Sequence, residues 1–283
     1  MIPTARTRVF ALLGDPVSHS LSPRFQNAAL RAAGLDGVYV ALRASADDLP
    51  GLLPALARAG GGGNVSVPHK QLAARAVERR TATVDATGAC NTFWLEDGRV
   101  WGDNTDVEGV SAAIRTLLGR SAEGARVLVL GAGGSARAVV HALRTEAANG
   151  IVILNRTVGR AEELARLGGA GKAIVSTAPS IDAIRGERFD LVVNTTSLGL
   201  RADDALPLPL DAGVTFDAAL DLVYSVDGTR WVHGLRERGI AAADGTEVLL
   251  RQGAAAFRRW WGVDAPMDAM RDALTHTEPT EQR

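Results

Sequence analysis

Short aliphatic runs, each closed by glycine or polar residues, alternate along the chain with amphipathic stretches. Val9 to Leu13 reads as a strand ending at Gly14, and Val38 to Leu42 as a second. Between them, Ser22 and Pro23 open a helix to about Ala33, with Ser22 as hydroxyl cap, Pro23 at the first helical position and Gly34 at the end. From Asp47 to Ala59 the pattern is helical, with Leu49, Leu52, Leu53 and Leu56 on one face. The stretch from Gly62 to Lys70 reads as a strand, then Pro68, then a helix start. Cys90 to Trp94 and Arg99 to Trp101 flank Glu96-Asp-Gly98, a hairpin signal. Asp103-Asn-Thr-Asp106 leads into a helix to about Leu118. This alternation predicts an α/β domain with a mainly parallel sheet over residues 1–106.

A second series follows over 107–244. Arg126 to Leu130, Ile151 to Leu154, Ala173 to Ser176, Asp190 to Asn194 and Thr215 to Leu222 are the expected strands. Arg137 to Arg144, Ala161 to Leu167 and Thr229 to Arg238 are the expected helices. After the turn at Asp244-Gly245, residues 245–283 read as C-terminal helices, the first running from Thr246 to about Trp261. The polar stretch from His276 reads as a frayed end.

With 283 residues there is room for two domains. A formal net charge of −1 gives no field that would draw nucleic acid or an anionic membrane. No apolar run is long enough to span a bilayer, and the N-terminus lacks the apolar stretch of a signal peptide. The one cysteine, Cys90, excludes an intrachain disulfide and suits a reducing compartment. A cytoplasmic protein with a small-molecule ligand is the expectation, without a metal site.

The strand at Arg126 to Leu130 runs into Gly131-Ala132-Gly133-Gly134-Ser135-Ala136, which fits G-x-G-x-x-G/A with a helix behind it. That context makes the run a dinucleotide fingerprint. Gly131 permits the tight turn, Gly133 lets a pyrophosphate approach the backbone, and Ala136 packs the helix close to the strand. The next strand ends in Asn155-Arg156-Thr157 with Arg160 beyond, and no acid stands there. Two guanidinium groups suit the 2′-phosphate of NADP, although they read also as solvated surface charges. In the first half, short polar side chains crowd the strand ends: Ser20, Ser22, Asn64, Ser66, Lys70, Asn91, Thr105 and Asp106 among them. Such a cluster fits a small ligand with several hydroxyls.

These motifs resemble those of the shikimate dehydrogenase family. Gly14-Asp-Pro-Val-Ser-His-Ser-Leu-Ser-Pro23, Asn64-Val-Ser-Val-Pro-His-Lys70, Gly88-Ala-Cys-Asn-Thr92 and Gly102-Asp-Asn-Thr-Asp106 carry the likeness in the first half. Gly131 to Val139, Asn155-Arg-Thr157, Asn194 to Gly199, Asp221-Leu-Val-Tyr224 and Leu250-Arg-Gln-Gly253 carry it in the second. The resemblance implies a substrate domain, a Rossmann-type NADP-binding domain, and C-terminal helices returning to the substrate domain. It implies NADPH-dependent reversible reduction of 3-dehydroshikimate to shikimate, on the way to aromatic amino acids, by a monomer or homodimer. Ser20 and Ser22 would bind the substrate carboxylate. Ser66, Asn91 and Gln252 would bind ring hydroxyls, with Tyr224 close to the ligand. Lys70 and Asp106 would be the catalytic pair. Gly131 to Ala136, Asn155, Arg156, Thr157 and Arg160 would hold NADP.

Plain alternatives stand beside these roles. Ser22 and Asp106 read also as helix caps, Lys70 as a solvated lysine, and Gln252 as an exposed helix position. Some positions depart from the family: Ser66 for threonine, Gln26 for histidine, Ser225-Val226 for proline, and Glu247-Val248 for a Gly-Met pair. The departures leave open a paralogue acting on quinate or an amino-substituted shikimate. A sensor module that binds NADP without turnover would have no use for both Lys70 and Asp106.

Overall fold

The aliphatic runs become strands of two six-stranded sheets, each in its own unit. The structure is a computed structural model and describes residues 2–167, 173–225 and 227–275. Val226 and the polar end from His276 lie outside the described residues. One unit comprises residues up to Thr105 and those from Leu249 on; the other is Asp106–Val248.

In chain order the first unit contains β1 (Arg8–Gly14), α1 (Ser22–Ala32), β2 (Gly37–Arg43), α2 (Leu49–Arg58), β3 (Gly62–Val65), α3 (Lys70–Ala76), β4 (Arg79–Arg80), α4 (Ala82–Thr87), β5 (Thr92–Glu96) and β6 (Arg99–Asp103). The second contains α5 (Asp106–Leu118), β7 (Arg126–Leu130), α6 (Gly134–Thr145), β8 (Gly150–Leu154), α7 (Val158–Arg166), β9 (Ile174–Ala178), β10 (Arg188–Asn194), β11 (Thr215–Asp221), α8 (Arg230–Arg236) and β12 (Ala241–Ala243). Two more helices follow, α9 (Thr246–Trp261) and α10 (Met267–Thr275).

The first sheet has the order β2-β1-β3-β5-β6-β4, and only β5 runs against the rest. The β5–β6 hairpin turns through Asp97 and Gly98, both at positive φ (50° and 69°), the backbone a two-residue hairpin favours. Both faces are buried, so β1 reads as an unbroken aliphatic run. Its alternate residues nonetheless go to different cores. Phe10 and Leu12 join Phe25, Tyr39, Trp94, Phe257 and Trp260, whereas Ala11 and Leu13 join Leu49, Leu53, Ala73 and Phe93. Residues of α9 thus complete one face of this sheet, and α10 packs on α1.

The second sheet is wholly parallel with the order β12-β11-β10-β7-β8-β9. Read from the other edge, this is the 3-2-1-4-5-6 order of a doubly wound nucleotide fold, whose chain reverses direction between β7 and β10. Val127 and Val129 face a core with Ala136, Val139 and Ile153; Leu128 and Leu130 face another with Phe189, Val192 and Trp231.

Ser22 and the starts of α6 and α7 differ from the sequence expectation. Ser22 is not the helix cap: Leu21 takes that position without a side-chain bond, and Ser22 is the first helical residue. The hydroxyl of Ser20 accepts the Ser22 amide at 3.2 Å, so a local serine turn supplies the acceptor one step earlier. In the other unit, α6 begins at Gly134 rather than Arg137, and α7 at Val158 rather than Ala161. Gly134, Ser135 and Ala136 form the first helical turn themselves, and Arg160 sits on α7.

Candidate active site

The carboxyl ends of parallel strands are where α/β sheets bind ligands. In the first unit that edge carries Gly14 at the end of β1, Ser66 after β3 and Asn104-Thr105 after β6. Because β5 runs the other way, its amino end brings Asn91 to the same edge. Gly14 makes the approach possible: a Cβ there would lie 3.0 Å from Val17 and 3.1 Å from Ser66. The Ser66 amide donates to Leu13 O (2.8 Å), and the Val65 amide to Asn91 O (2.8 Å).

Asn91 is buried at the centre of a polar cluster. Its Oδ1 accepts the Thr105 amide (2.8 Å) and hydroxyl (3.1 Å). Its Nδ2 donates to Thr105 Oγ1 (3.0 Å) and to Gln252 Oε1 (3.3 Å). Gln252 is 9% exposed, which rules out the exposed-position alternative. Asn64 donates from Nδ2 to Asn91 O (3.1 Å) and accepts the Tyr39 hydroxyl at Oδ1 (2.8 Å). The cluster therefore gathers polar side chains from β2, β3, the residue before β5, the loop after β6, and α9. The sequence motifs point to Asn91 and Gln252 here. Asn64 and Thr105 stand out in the sequence only as part of a crowd of polar residues, and Tyr39 reads there as strand alone.

Lys70 is half-buried and opens α3. Its carbonyl accepts the Cys90 amide at 2.9 Å, which ties it to the residue before Asn91. His69 beside it is buried, with Nε2 2.8 Å from Ala44 O. Cys90 packs as a small buried residue, its thiol donating to Thr92 O. Ser20 and Ser22 meet through the bond already described; Ser22 is buried and Ser20 half-buried. Asp106 is also buried and is the first residue of α5, within the second unit.

In the second unit the fingerprint has the geometry its residues predict. Gly131 has φ +105°, and a Cβ there would meet Thr195 Oγ1 at 2.6 Å across the β7–β10 reversal. Gly133 caps α6 without a side-chain bond, and a Cβ there would meet nothing within 4 Å. The backbone at Gly133 is thus open to approach beside a helix N-terminus, as a pyrophosphate requires. Asn155 is half-buried, its Nδ2 donating to Thr157 O (2.8 Å). Arg156 and Arg160 are exposed, with no ion pair among the described residues. These residues fit a dinucleotide bearing a further phosphate.

Tyr224 is half-buried in the loop after β11. That loop is anchored by Asp221, fully buried at the strand end. Asp221 accepts Asn194 Nδ2 (2.7 Å), the Val223 amide (3.0 Å) and the Thr229 hydroxyl (2.7 Å). Burial raises its carboxyl above the ordinary value, and these three donors hold the rise back. Asn194 also accepts the Thr196 amide and hydroxyl (3.0 and 2.7 Å), so one network joins the loops after β10 and β11. Among the described residues there is no cluster of metal ligands and no helix long and apolar enough to cross a membrane.

The family model for the shikimate dehydrogenase substrate binding domain matches residues 12–93. Those for shikimate / quinate 5-dehydrogenase and the shikimate 5′-dehydrogenase C-terminal domain match residues 113–199 and 245–275. The shikimate dehydrogenase (NADP(+)) of Moorella thermoacetica is 41% identical over 273 residues, 94% of this chain and 92% of its own length. The crystal structure of shikimate dehydrogenase from Aquifex aeolicus matches with TM-score 0.86 at 32% identity, covering 97% of this chain and 100% of that one. Shikimate 5-dehydrogenase of Thermus thermophilus, solved with NADP(H) and shikimate, matches at 0.81 and 36% identity over 94% of this chain and 98% of that one. With this likeness running the length of both units, the chain belongs to the shikimate dehydrogenase family.

Proposed function

We propose that this chain catalyses the NADP-dependent, reversible interconversion of 3-dehydroshikimate and shikimate. The observation that carries the reading is the buried Asn91–Thr105–Gln252 cluster, with Asn64 behind it. Amide and hydroxyl groups preset in this way suit a ring with several hydroxyls, because an analogue lacking one leaves a buried polar group unpaired. Ser66, Asn91 and Gln252 read the ring hydroxyls, Ser20 and Ser22 take the carboxylate, and Tyr224 lies against the ligand. NADP is held by Gly131 to Ala136, Asn155, Arg156, Thr157 and Arg160, and when bound it supplies or accepts the hydride.

The protein's own chemistry is the proton. On reduction the ketone oxygen must gain one, and on oxidation the hydroxyl must lose one. Lys70 delivers and removes that proton, and Asp106 orients it. The reading carries a cytoplasmic location, for which the single buried Cys90 is suited, and a monomeric or homodimeric state. The test is absorbance at the reduced-nicotinamide band, with shikimate or quinate against NADP and NAD. Turnover with shikimate and NADP is expected. Turnover with quinate alone would move the assignment to a paralogue, and none with either ring acid would overturn it.

A further inference from the structure

The contacts around Asp103 form a closed ring that passes through the ring-hydroxyl cluster. Asp103 ends β6, and its side chain is 4% exposed. Its Oδ1 accepts the Thr81 hydroxyl (2.6 Å) and the Asn104 amide (2.7 Å), and its carbonyl accepts the Asn91 amide (3.0 Å). Its Oδ2 accepts Arg259 Nε at 3.0 Å. Arg259 lies on α9 seven residues beyond Gln252, about two helical turns and roughly 10 Å along the axis. Two turns bring it back to the face Gln252 uses. From Arg259 to Asp103, to Asn91, to Gln252 and back along α9, every step is a hydrogen bond or helix backbone. Next to the ion pair, Trp260 Nε1 donates to Thr92 Oγ1 (3.1 Å). At the other end, Gln26 Nε2 donates to Gly253 O (3.0 Å), and Gly253 has no room for a Cβ, which would lie 2.4 Å from Phe25.

We infer that Arg259 is a positioning residue: by gripping Asp103 it sets where Gln252 stands against Asn91, and so sets affinity for the ring hydroxyls of the substrate. Trp260 holds the helix to β5 and Gln26 holds it to α1, but neither bonds the strand that carries the Asn104-Thr105 loop. Arg259 links α9 to that strand by charge, and the carboxylate it meets is buried. A buried carboxylate deprived of its cation is destabilising, so stability and positioning must be separated. The inference rests on shikimate as substrate.

The experiment compares four proteins, measuring KM for shikimate, KM for NADP, kcat and Tm. Arg259→Met keeps the apolar stem and removes the guanidinium. Its KM for shikimate should rise about tenfold, equivalent to one charged hydrogen bond, with KM for NADP and kcat within about twofold of wild type. Arg259→Lys should recover part of that loss. Asp103→Asn combined with Arg259→Met should restore much of the Tm, because no buried charge remains, yet keep the raised KM, because the link is still cut. An unchanged KM in Arg259→Met, or a KM that follows Tm through the series, would overturn the inference. Wild-type protein that fails to oxidise shikimate would instead remove the functional reading, and this inference with it.

Discussion

Asn91 donates from Nδ2 to Oε1 of Gln252 at 3.3 Å, though 161 residues separate them. The Thr105 amide and hydroxyl fix the Asn91 amide in one orientation, so Gln252 meets a donor that cannot turn away. Gln252 in turn donates from Nε2 to Leu249 O on its own helix (2.8 Å). Gln252→Ala should therefore leave a buried amide short of a partner, at about 1–3 kcal/mol. The expected result is a rise in KM for shikimate of at least about fivefold with no change for NADP. Equal changes in both constants would place the effect outside the cluster.

Lys70→Ala should lower kcat by about 10²–10⁴, the usual worth of a positioned acid–base group, with NADP affinity and Tm nearly intact. Asp106→Asn keeps the shape, removes the charge, and should also be slow. The chain offers a direct check as well, since it has only two lysines, Lys70 and Lys172. After reductive ¹³C-methylation, the spectrum should show two lysine signals, of which one moves when shikimate is added. If neither moves, or if Lys70→Ala turns over normally, the proton is carried elsewhere.

What can be read from the chain depends on whether the signal is local. The aliphatic runs of β7 and β8 and the bounds of α9 are legible, because periodicity and flanking glycines are written within a few residues. Strands of two or three residues, β4 and β12, lack the length to show any period, and α4 is a six-residue helix held by the Thr81 cap. The site divides in the same way. Gly131 announces its positive φ through the turn it makes, whereas nothing near Asp103 in sequence points to Arg259, 156 residues on. Ser22 shows the limit of a local rule: the capping pattern is present, but the acceptor comes from Ser20.

Cofactor choice should follow the two exposed guanidinium groups at the end of β8 and on α7. Neither Arg156 nor Arg160 has a carboxylate partner to lose among the described residues, so their replacement should not unsettle the fold. Arg156→Ala with Arg160→Ala should weaken NADP by about 10²-fold, since each charged hydrogen bond to phosphate contributes about 1.5–3 kcal/mol, and should change NAD little. Binding of both cofactors is measured by fluorescence titration. Equal weakening of the two would remove these arginines from the phosphate site.

Asp221 provides a test of the network beneath Tyr224. Burial raises its carboxyl, so the folded protein holds that proton to higher pH than the unfolded chain does. Below the ordinary carboxylate value both states are protonated, and the group's contribution to stability is fully present. As pH rises, the unfolded chain ionises first. The contribution then declines until the folded carboxyl has ionised too. Asp221→Asn has no such decline. An asparagine also suits the site: its Oδ1 accepts Asn194 Nδ2 and the Val223 amide, while its Nδ2 meets the Thr229 oxygen. That oxygen already accepts the Val232 amide at 3.3 Å, and its hydroxyl proton is free to rotate. The Tm of Asp221→Asn relative to wild type should therefore increase from about pH 4 to about pH 7. A difference that stays flat or shrinks over that range would mean that the donors around Asp221 outweigh its burial.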